Sequence, residues 1–327
     1  MQEGDKGRKS SNGKERISIT SRILLLIHAA LTVLIAVMMF ISYPLGAYLV
    51  FHTSMGSGYR EPIDEFYMFM PLPVHVQVKI SVGDLFILLW CTYLLLFTIL
   101  LLSPKSILSS IVRLVSNSTT VRGNDLTITI AWFSIFVASS TAIDLVQSMF
   151  GIEMGSLEYD DRLRYFVDAT ITPFREELGF RLILIGIPAY LFLAKQGSTL
   201  LSVLWRPYEY VRHDKSIYML IVGSAVLFGF AHIIFSTGWG YGKVTQATLG
   251  GLILGWLYYR YGLHTAIIAH WAANYLPLTY LFASDILGSD AILNVLELLL
   301  VSNGIVAIAL ILESYLKGKY ITNGKLI

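Results

Sequence analysis

The sequence predicts an all-α protein, a polytopic transmembrane helical bundle of about eight spanning helices. Three observations carry this. Hydrophobic residues make up 55% of the chain and charged residues only 14%, against about 25% charged in ordinary soluble domains. The apolar residues gather into runs of about 20, the length a helix needs to cross the hydrocarbon of a bilayer. The basic residues fall unevenly on alternate connections, as the positive-inside rule expects.

The elements follow in order. Residues 1–22 are polar and basic, with Lys6, Arg8, Lys9, Lys14, Arg16 and Arg22, and their composition predicts a disordered cytoplasmic tail. The apolar run after it is too long for a signal peptide and lacks a small-residue cleavage site, so it is read as an uncleaved helix near Ile23–Ser42. Residues 51–80 form a long outer loop with Pro62, Pro71 and Pro73 and several aromatics. It is expected either to lie over the membrane surface or a cavity, or to be a plain connector. Helices are predicted near Val82–Ser103 and Thr127–Met149, the latter diluted by Asp144 and several Ser and Thr residues. Residues 157–174 mix Asp160, Asp161, Arg162 and Arg164 with Leu163, Tyr165, Phe166 and Val167, an amphipathic lead-in. Further helices are predicted near Thr170–Ala194, Ile217–Ser236, Thr245–Arg260, Leu263–Ala283 and Leu293–Leu316. Gly251 and Gly255 put G-x-x-x-G on the sixth of these eight, read as a close packing surface between helices.

With the N-terminus in the cytoplasm, most of the 24 basic residues fall inside, among them Lys105, Arg113, Arg122, Lys195, Arg206, Arg212, Lys215, Arg260, Lys317, Lys319 and Lys325. Arg60, Lys79, Arg162, Arg164, Arg175 and Lys243 fall outside, which places both termini in the cytoplasm. No basic patch with interleaved aromatics is present, so nucleic acid is not an expected partner. Cys91 is the only cysteine, which excludes disulfides within the chain and cysteine-based metal sites. It is expected to be a buried, inert thiol. The organisation expected is a tail (1–22), N-terminal helices with the outer loop (23–150), a catalytic core (151–292) and a last helix with a cytoplasmic tail (293–327).

Three polar clusters interrupt the apolar runs: Glu176-Glu177-Leu178-Gly179-Phe180-Arg181, Phe228-Gly229-Phe230-Ala231-His232 and His270-Trp271-Ala272-Ala273-Asn274. An ionisable side chain at bilayer depth costs roughly 2.5–3.5 kcal/mol on insertion scales, so such residues mark function more often than packing. Glu177 and Arg181 stand at i, i+4, the spacing of a helical ion pair. Glu176 points about 100° away, free to face a cavity. His270 and Asn274 also share a face, and Phe228 lies one turn before His232. His264 lies near the cytoplasmic end and is assigned to the interface. Glu176 and His232 can hold and deprotonate a water, while His270 and Asn274 can stabilise charge on a carbonyl oxygen. This is hydrolysis. Two histidines and a glutamate also make a zinc ligand set, so zinc on Glu176, His232 and His270 and metal-independent catalysis both stand open.

The triple pattern E-E-x-x-x-R, F-x-x-x-H and H-x-x-x-N, in that order on successive helices, resembles the CPBP intramembrane proteases, which are the CAAX proteases and bacteriocin-processing (Abi) enzymes. The resemblance covers residues 168–282 through Glu176, Glu177, Arg181, Phe228, His232, His270 and Asn274. It implies an eight-helix protease whose catalytic core is the first glutamate and the two histidines, acting on a membrane-anchored protein or peptide. The charge asymmetry opens the cavity away from the cytoplasm, unlike the type II CAAX prenyl endopeptidase, and similar to the myxosortase-like branch that removes C-terminal sorting segments. Two rivals remain from the sequence: a non-catalytic scaffold or bacteriocin-immunity factor, and a transporter, against which no inverted repeat is visible.

Overall fold

The computed structural model describes residues 19–68, 74–103, 106–109, 112, 123–156, 160–235 and 238–316. The basic tail through residue 18, Pro71 and Pro73, and the basic residues Lys105, Arg113, Arg122, Lys317, Lys319 and Lys325 lie outside them. The fold is a helical bundle in which all eight predicted segments are helical. They are α1 (Ile19–His52), α2 (Val82–Leu102), α3 (Asp125–Met149), a long helical run of α4 (Arg162–Glu176), a π-helical segment (Glu177–Gly186) and α5 (Ile187–Leu193), then α8 (Lys215–Ile234), α9 (Gly242–Tyr261), α10 (Leu263–Leu287) and α11 (Ala291–Leu316). Two short helices, α6 (Leu200–Trp205) and α7 (Pro207–Tyr210), connect α5 to α8.

Helix starts are set by side-chain caps. Asn124 accepts from the amides of Leu126 and Thr127, and its own amide donates to the carbonyls of Leu101 and Ser103, so one residue both begins α3 and holds it to the end of α2. Asp161 and Asp214 cap α4 and α8 in the same way. The amphipathic lead-in is α4, beginning at Arg162. Its apolar face (Leu163, Phe166, Val167, Ile171) is buried within the bundle.

Four predictions need correction. The first helix runs ten residues past Ser42, straight through Pro44. Proline inside a helix frees one backbone carbonyl, which neighbouring helices can accommodate in a membrane bundle. The outer loop contains an antiparallel β-hairpin, β1 (Pro62–Met68) and β2 (Val74–Ser81), with a register irregularity between Ile63 and Glu65. Its base is closed by the Val82 and Gly83 amides donating to the Glu61 and Tyr59 carbonyls. The predicted 170–194 helix starts earlier and changes pitch in its middle. Cys91 lies on the outside of the bundle and not in its core.

Five helices are long and apolar enough to cross a membrane among the described residues: α1, the run starting with α2, α3, α8 and α11. Their outward faces carry exposed large apolar side chains such as Leu34, Phe40, Leu88, Leu95, Met219 and Leu298, the surface a lipid-facing bundle needs. The helix α10, which carries His270 and Asn274, sits deeper. Every residue from Leu263 to Ala272 in α10 is buried. There Trp271 stacks against Tyr43, Tyr93 and Tyr275 at centroid distances of 4.9, 5.4 and 4.7 Å, fixing the segment that bears His270. Polar contacts join the outer helices. His28 meets the Asn303 carbonyl oxygen at 2.8 Å, and the Asn303 amide donates to Ser134 at 3.0 Å, tying α1, α11 and α3 together.

The G-x-x-x-G surface packs α9 on α8. A Cβ on Gly251 would lie 2.8 Å from Ala225 Cα, and one on Gly255 would lie 2.9 Å from Ile221 Cγ2. Gly262, at φ 113°, makes the abrupt turn from α9 into α10 that side-chain-bearing residues resist.

Candidate active site

The three polar clusters meet where the π-helical segment, α8 and α10 pack together. In the π-helical segment, backbone bonds run five residues back, as from Ile187 to Leu182. Such segments are rare and concentrate at functional sites. This one begins between the two adjacent glutamates and sends them to different partners.

Glu177 is fully buried. Its Oε1 lies 2.8 Å from His270 Nδ1, and its Oε2 lies 3.1 Å from Arg181 Nε. The Arg181 N–H groups find no hydrogen-bond acceptor among the described residues, so the contact to Glu177 is Coulombic. The guanidinium instead lies over the Phe228 ring at 4.5 Å, and Phe180 meets Phe228 edge-on at 5.0 Å.

Glu176 keeps a partly exposed side chain, with Oε2 buried and 3.5 Å from His270 Nε2. That separation is too long for a strong hydrogen bond. His270 is thus flanked by a carboxylate on each ring nitrogen. Since Glu177 is the close partner, Nδ1 donates to it and Nε2 faces Glu176. His232 shows the same logic. Its Nδ1 lies 2.8 Å from the Phe228 carbonyl, which can only accept. The proton is therefore on Nδ1, and Nε2 carries the lone pair. Phe228 meets both imidazoles edge-on, His232 at 4.8 Å and His270 at 5.8 Å. One phenyl ring thus separates the buried guanidinium from the two histidines and orients both.

A cavity of about 170 Å³ opens beside these groups, with His232, His270, Asn274 and Phe228 in its wall. The opposite wall is apolar, from Phe133, Phe136, Ile253 and Leu254. Two polar residues that the sequence reading did not place here complete it. Lys243 and Gln246 come from the first turn of α9, with Lys243 Nζ donating to Gln246 Oε1 at 2.8 Å. The only sequence signal for them was their i, i+3 spacing after a glycine-rich turn.

His264 is buried, not interfacial. It stacks on Trp205 at 5.1 Å and lies 3.5 Å from Asp125 Oδ2, which also meets Arg206 at 3.2 Å. This second buried cluster joins α3, α10 and the connection after α6, away from the cavity. As for zinc, no group of three His, Cys, Asp or Glu side chains among the described residues is spaced to hold a metal ion. Glu176, His232 and His270 do not form a ready ligand set as they stand.

Residues 160–276 match the family model for type II CAAX prenyl endopeptidase, Rce1-like. Over that segment the chain is similar to an Rce1-like domain. This is consistent with the CPBP family, and every residue of the three polar clusters lies within the matched Rce1-like segment. Searches of curated proteins and of solved structures find no match. The matched segment among long apolar helices supports an integral membrane protein.

Proposed function

We propose that the protein is an intramembrane endopeptidase that hydrolyses a peptide bond in a membrane-tethered or lipid-modified protein, using a water activated by Glu176. The observation that carries this reading is the flanking of His270 by two glutamates with different surroundings. Glu177 is sealed, while Glu176 is partly exposed, and its Oε2, with no hydrogen-bond partner, lies 3.5 Å from Nε2 of His270, which lines the cavity.

Glu176 removes a proton from a water whose other hydrogen is held by the lone pair on His232 Nε2. The water oxygen attacks the substrate carbonyl carbon, and the carbonyl π electrons move to its oxygen. The proton taken by Glu176 passes across the 3.5 Å contact to His270 Nε2. From there it hydrogen-bonds the oxyanion together with the Asn274 amide. Collapse of the tetrahedral intermediate breaks the C–N bond, and the same proton goes to the departing amine. Glu177 keeps His270 aimed through Nδ1, and Arg181 balances the Glu177 charge. General-base assistance of this kind contributes roughly 10²–10⁴-fold.

The reading is tested on purified protein in detergent with a lipidated peptide, following the new C-terminus by mass spectrometry. Glu176→Gln is expected to lower turnover by about 10²-fold or more with the fold intact. Unchanged function in Glu176→Gln would instead favour a binding or immunity role. Residues 151–292 form the catalytic core in this reading. The basic-residue asymmetry supports cytoplasmic termini and a cavity opening to the opposite side, where C-terminal sorting segments of exported proteins are the natural substrates. A tag in the hairpin loop that is cleaved by protease only from inside the cell would reverse this orientation.

A further inference from the structure

We propose that Lys195 and Arg260, with His213 between them, bind the phosphate of an anionic phospholipid headgroup at the end of the bundle opposite the catalytic cavity. The inference does not depend on the endopeptidase reading.

Two helices fix the place. α8 runs from Lys215 to the cavity residue His232, a rise of about 25 Å at 1.5 Å per residue. α9 runs back from Lys243, in the cavity wall, to Arg260. That rise is most of the ~30 Å hydrocarbon thickness, so the start of α8 and the end of α9 meet at one membrane surface while the cavity lies towards the other.

Three basic side chains converge there. The Arg260 guanidinium lies over the Tyr208 ring at 3.6 Å, and the same ring lies 4.3 Å from the His213 imidazole. His213 Nδ1 meets the buried Tyr259 hydroxyl at 2.8 Å. Lys195 Nζ donates to the Glu209 carbonyl at 2.8 Å. Partial burial holds the His213 pKa below its ordinary value, and the Lys195 and Arg260 charges lower it further, so both cations act on one spot. Among the described residues neither Lys195 nor Arg260 forms an ion pair with a carboxylate. The acids of this connection are engaged elsewhere. Glu209 meets Arg206 at 3.4 Å, and Asp214 caps α8 beside Arg212. Lys195 spends one of its three donors on a carbonyl, and stacking on Tyr208 holds the Arg260 plane without using its N–H groups. An oriented guanidinium beside a point cation suits a phosphate.

The border of the cluster commits that phosphate to a lipid. Leu200, Leu201 and Trp205 on α6, and Tyr218 and Met219 on the first turns of α8, are large and exposed. Tyr218 also meets Tyr259 edge-on at 6.1 Å, which joins this apolar border to the basic cluster. Cations flanked by bared apolar side chains match a charged headgroup with acyl chains beside it, and Trp and Tyr are enriched at that depth of a membrane. A soluble anion has no use for the apolar border.

The test titrates the full chain, in neutral detergent micelles, with dioleoyl phosphatidylglycerol or dioleoyl phosphatidylcholine and counts bound lipid by native mass spectrometry. The two lipids share their acyl chains, and the choline ammonium offsets the phosphate of the second. The first phosphatidylglycerol is expected to bind at least about tenfold more tightly than the first phosphatidylcholine, since each basic residue near the headgroup contributes about fivefold. Lys195→Gln with Arg260→Gln should bring the two lipids within about twofold by weakening phosphatidylglycerol alone. Lys195→Gln by itself changes only an exposed side chain and should lose part of the preference, which decides the matter if the double variant does not fold. Arg162→Gln with Arg164→Gln makes the same change of net charge at the other end of α10, where Arg162 meets Asp285, and should keep the full preference. Equal binding of the two lipids by the wild type, a preference that survives Lys195→Gln unchanged, or an equal loss in the Arg162 and Arg164 control overturns the site. Displacement of phosphatidylglycerol by equimolar inorganic phosphate assigns the cluster to a soluble anion and also overturns it.

Discussion

Replacing Glu177 with glutamine tests how the buried charges are held. Glu177 is 0% exposed and Arg181 1%, so neither is screened by solvent. Glutamine keeps an oxygen to accept from His270 Nδ1 but removes the charge 3.1 Å from the Arg181 Nε. Breaking a buried pair by removing one partner costs about 3–5 kcal/mol, because the other charge stays desolvated. Phe228 retains part of the guanidinium stabilisation, since a desolvated cation–π contact is worth about 2 kcal/mol. The expected loss is therefore near the lower end, about 3 kcal/mol. The double variant Glu177→Gln with Arg181→Met removes both charges and keeps the volume filled. It should recover most of the loss, giving a large favourable coupling in the cycle. Denaturant unfolding in mixed micelles measures all four proteins. A Glu177→Gln protein within 1 kcal/mol of wild type, or a double variant as damaged as the two singles added together, refutes the paired-charge account.

Asn274→Ala should lower kcat by about 10²–10³-fold with little change in KM, the signature of a donor used mainly in the transition state; a change in KM alone would remove Asn274 from the oxyanion. Activation of water by Glu176 and His232 without a metal predicts that o-phenanthroline leaves peptide cleavage unchanged, and inhibition reversed by added zinc would contradict that scheme. Gly251→Val pushes new atoms against Ala225 Cα, already 2.8 Å from a bare Cβ. It should destabilise by about 1–3 kcal/mol, read as a lowered midpoint of thermal unfolding.

Much of the fold was legible because membrane helices announce themselves by length and composition. The limits of the α2, α3, α8 and α11 predictions shifted by only a few residues, as apolar runs give no sharper end than their caps. The hairpin was missed although its second strand carries a plain period of two. Val74, Val76, Val78 and Ile80 alternate with His75, Gln77 and Lys79, but the prolines nearby drew the reading toward loop. The first helix was placed to end near Ser42, short of Pro44. In water a proline at that place ends many helices; inside a bundle α1 passes through it. His264 was misplaced because its nearness to a helix end was read as nearness to solvent. Nothing in local sequence reveals that Trp205, Asp125 and Arg206 close over it.

The candidate site shows where sequence geometry stops. An ideal α-helix separates Glu176 from Glu177 by about 100°, which was enough to expect unlike surroundings for the two. It was not enough to name the partners. The π-helical segment begins at Glu177 and ends at Gly186, and no residue pattern in it distinguishes five-back from four-back bonding. Its position beside the glutamate pair lets Glu177 turn inward to both His270 and Arg181, while Glu176 stays partly exposed on the Nε2 side of His270. Lys243 was hidden for a different reason. It was counted with the basic residues outside the bilayer, where a lysine is ordinarily solvated. Only the packing of α9 against α8, made close by Gly251 and Gly255, sets its ammonium in the cavity wall beside His232. The glycines read as packing residues are therefore also what gives the cavity its charged end. A bulkier residue at Gly255, where a Cβ would lie 2.9 Å from Ile221 Cγ2, should accordingly move α9 outward, distort the cavity and lower kcat/KM for peptide cleavage. Unchanged cleavage by a stably folded Gly255→Val protein would separate the helix packing from the catalytic cavity.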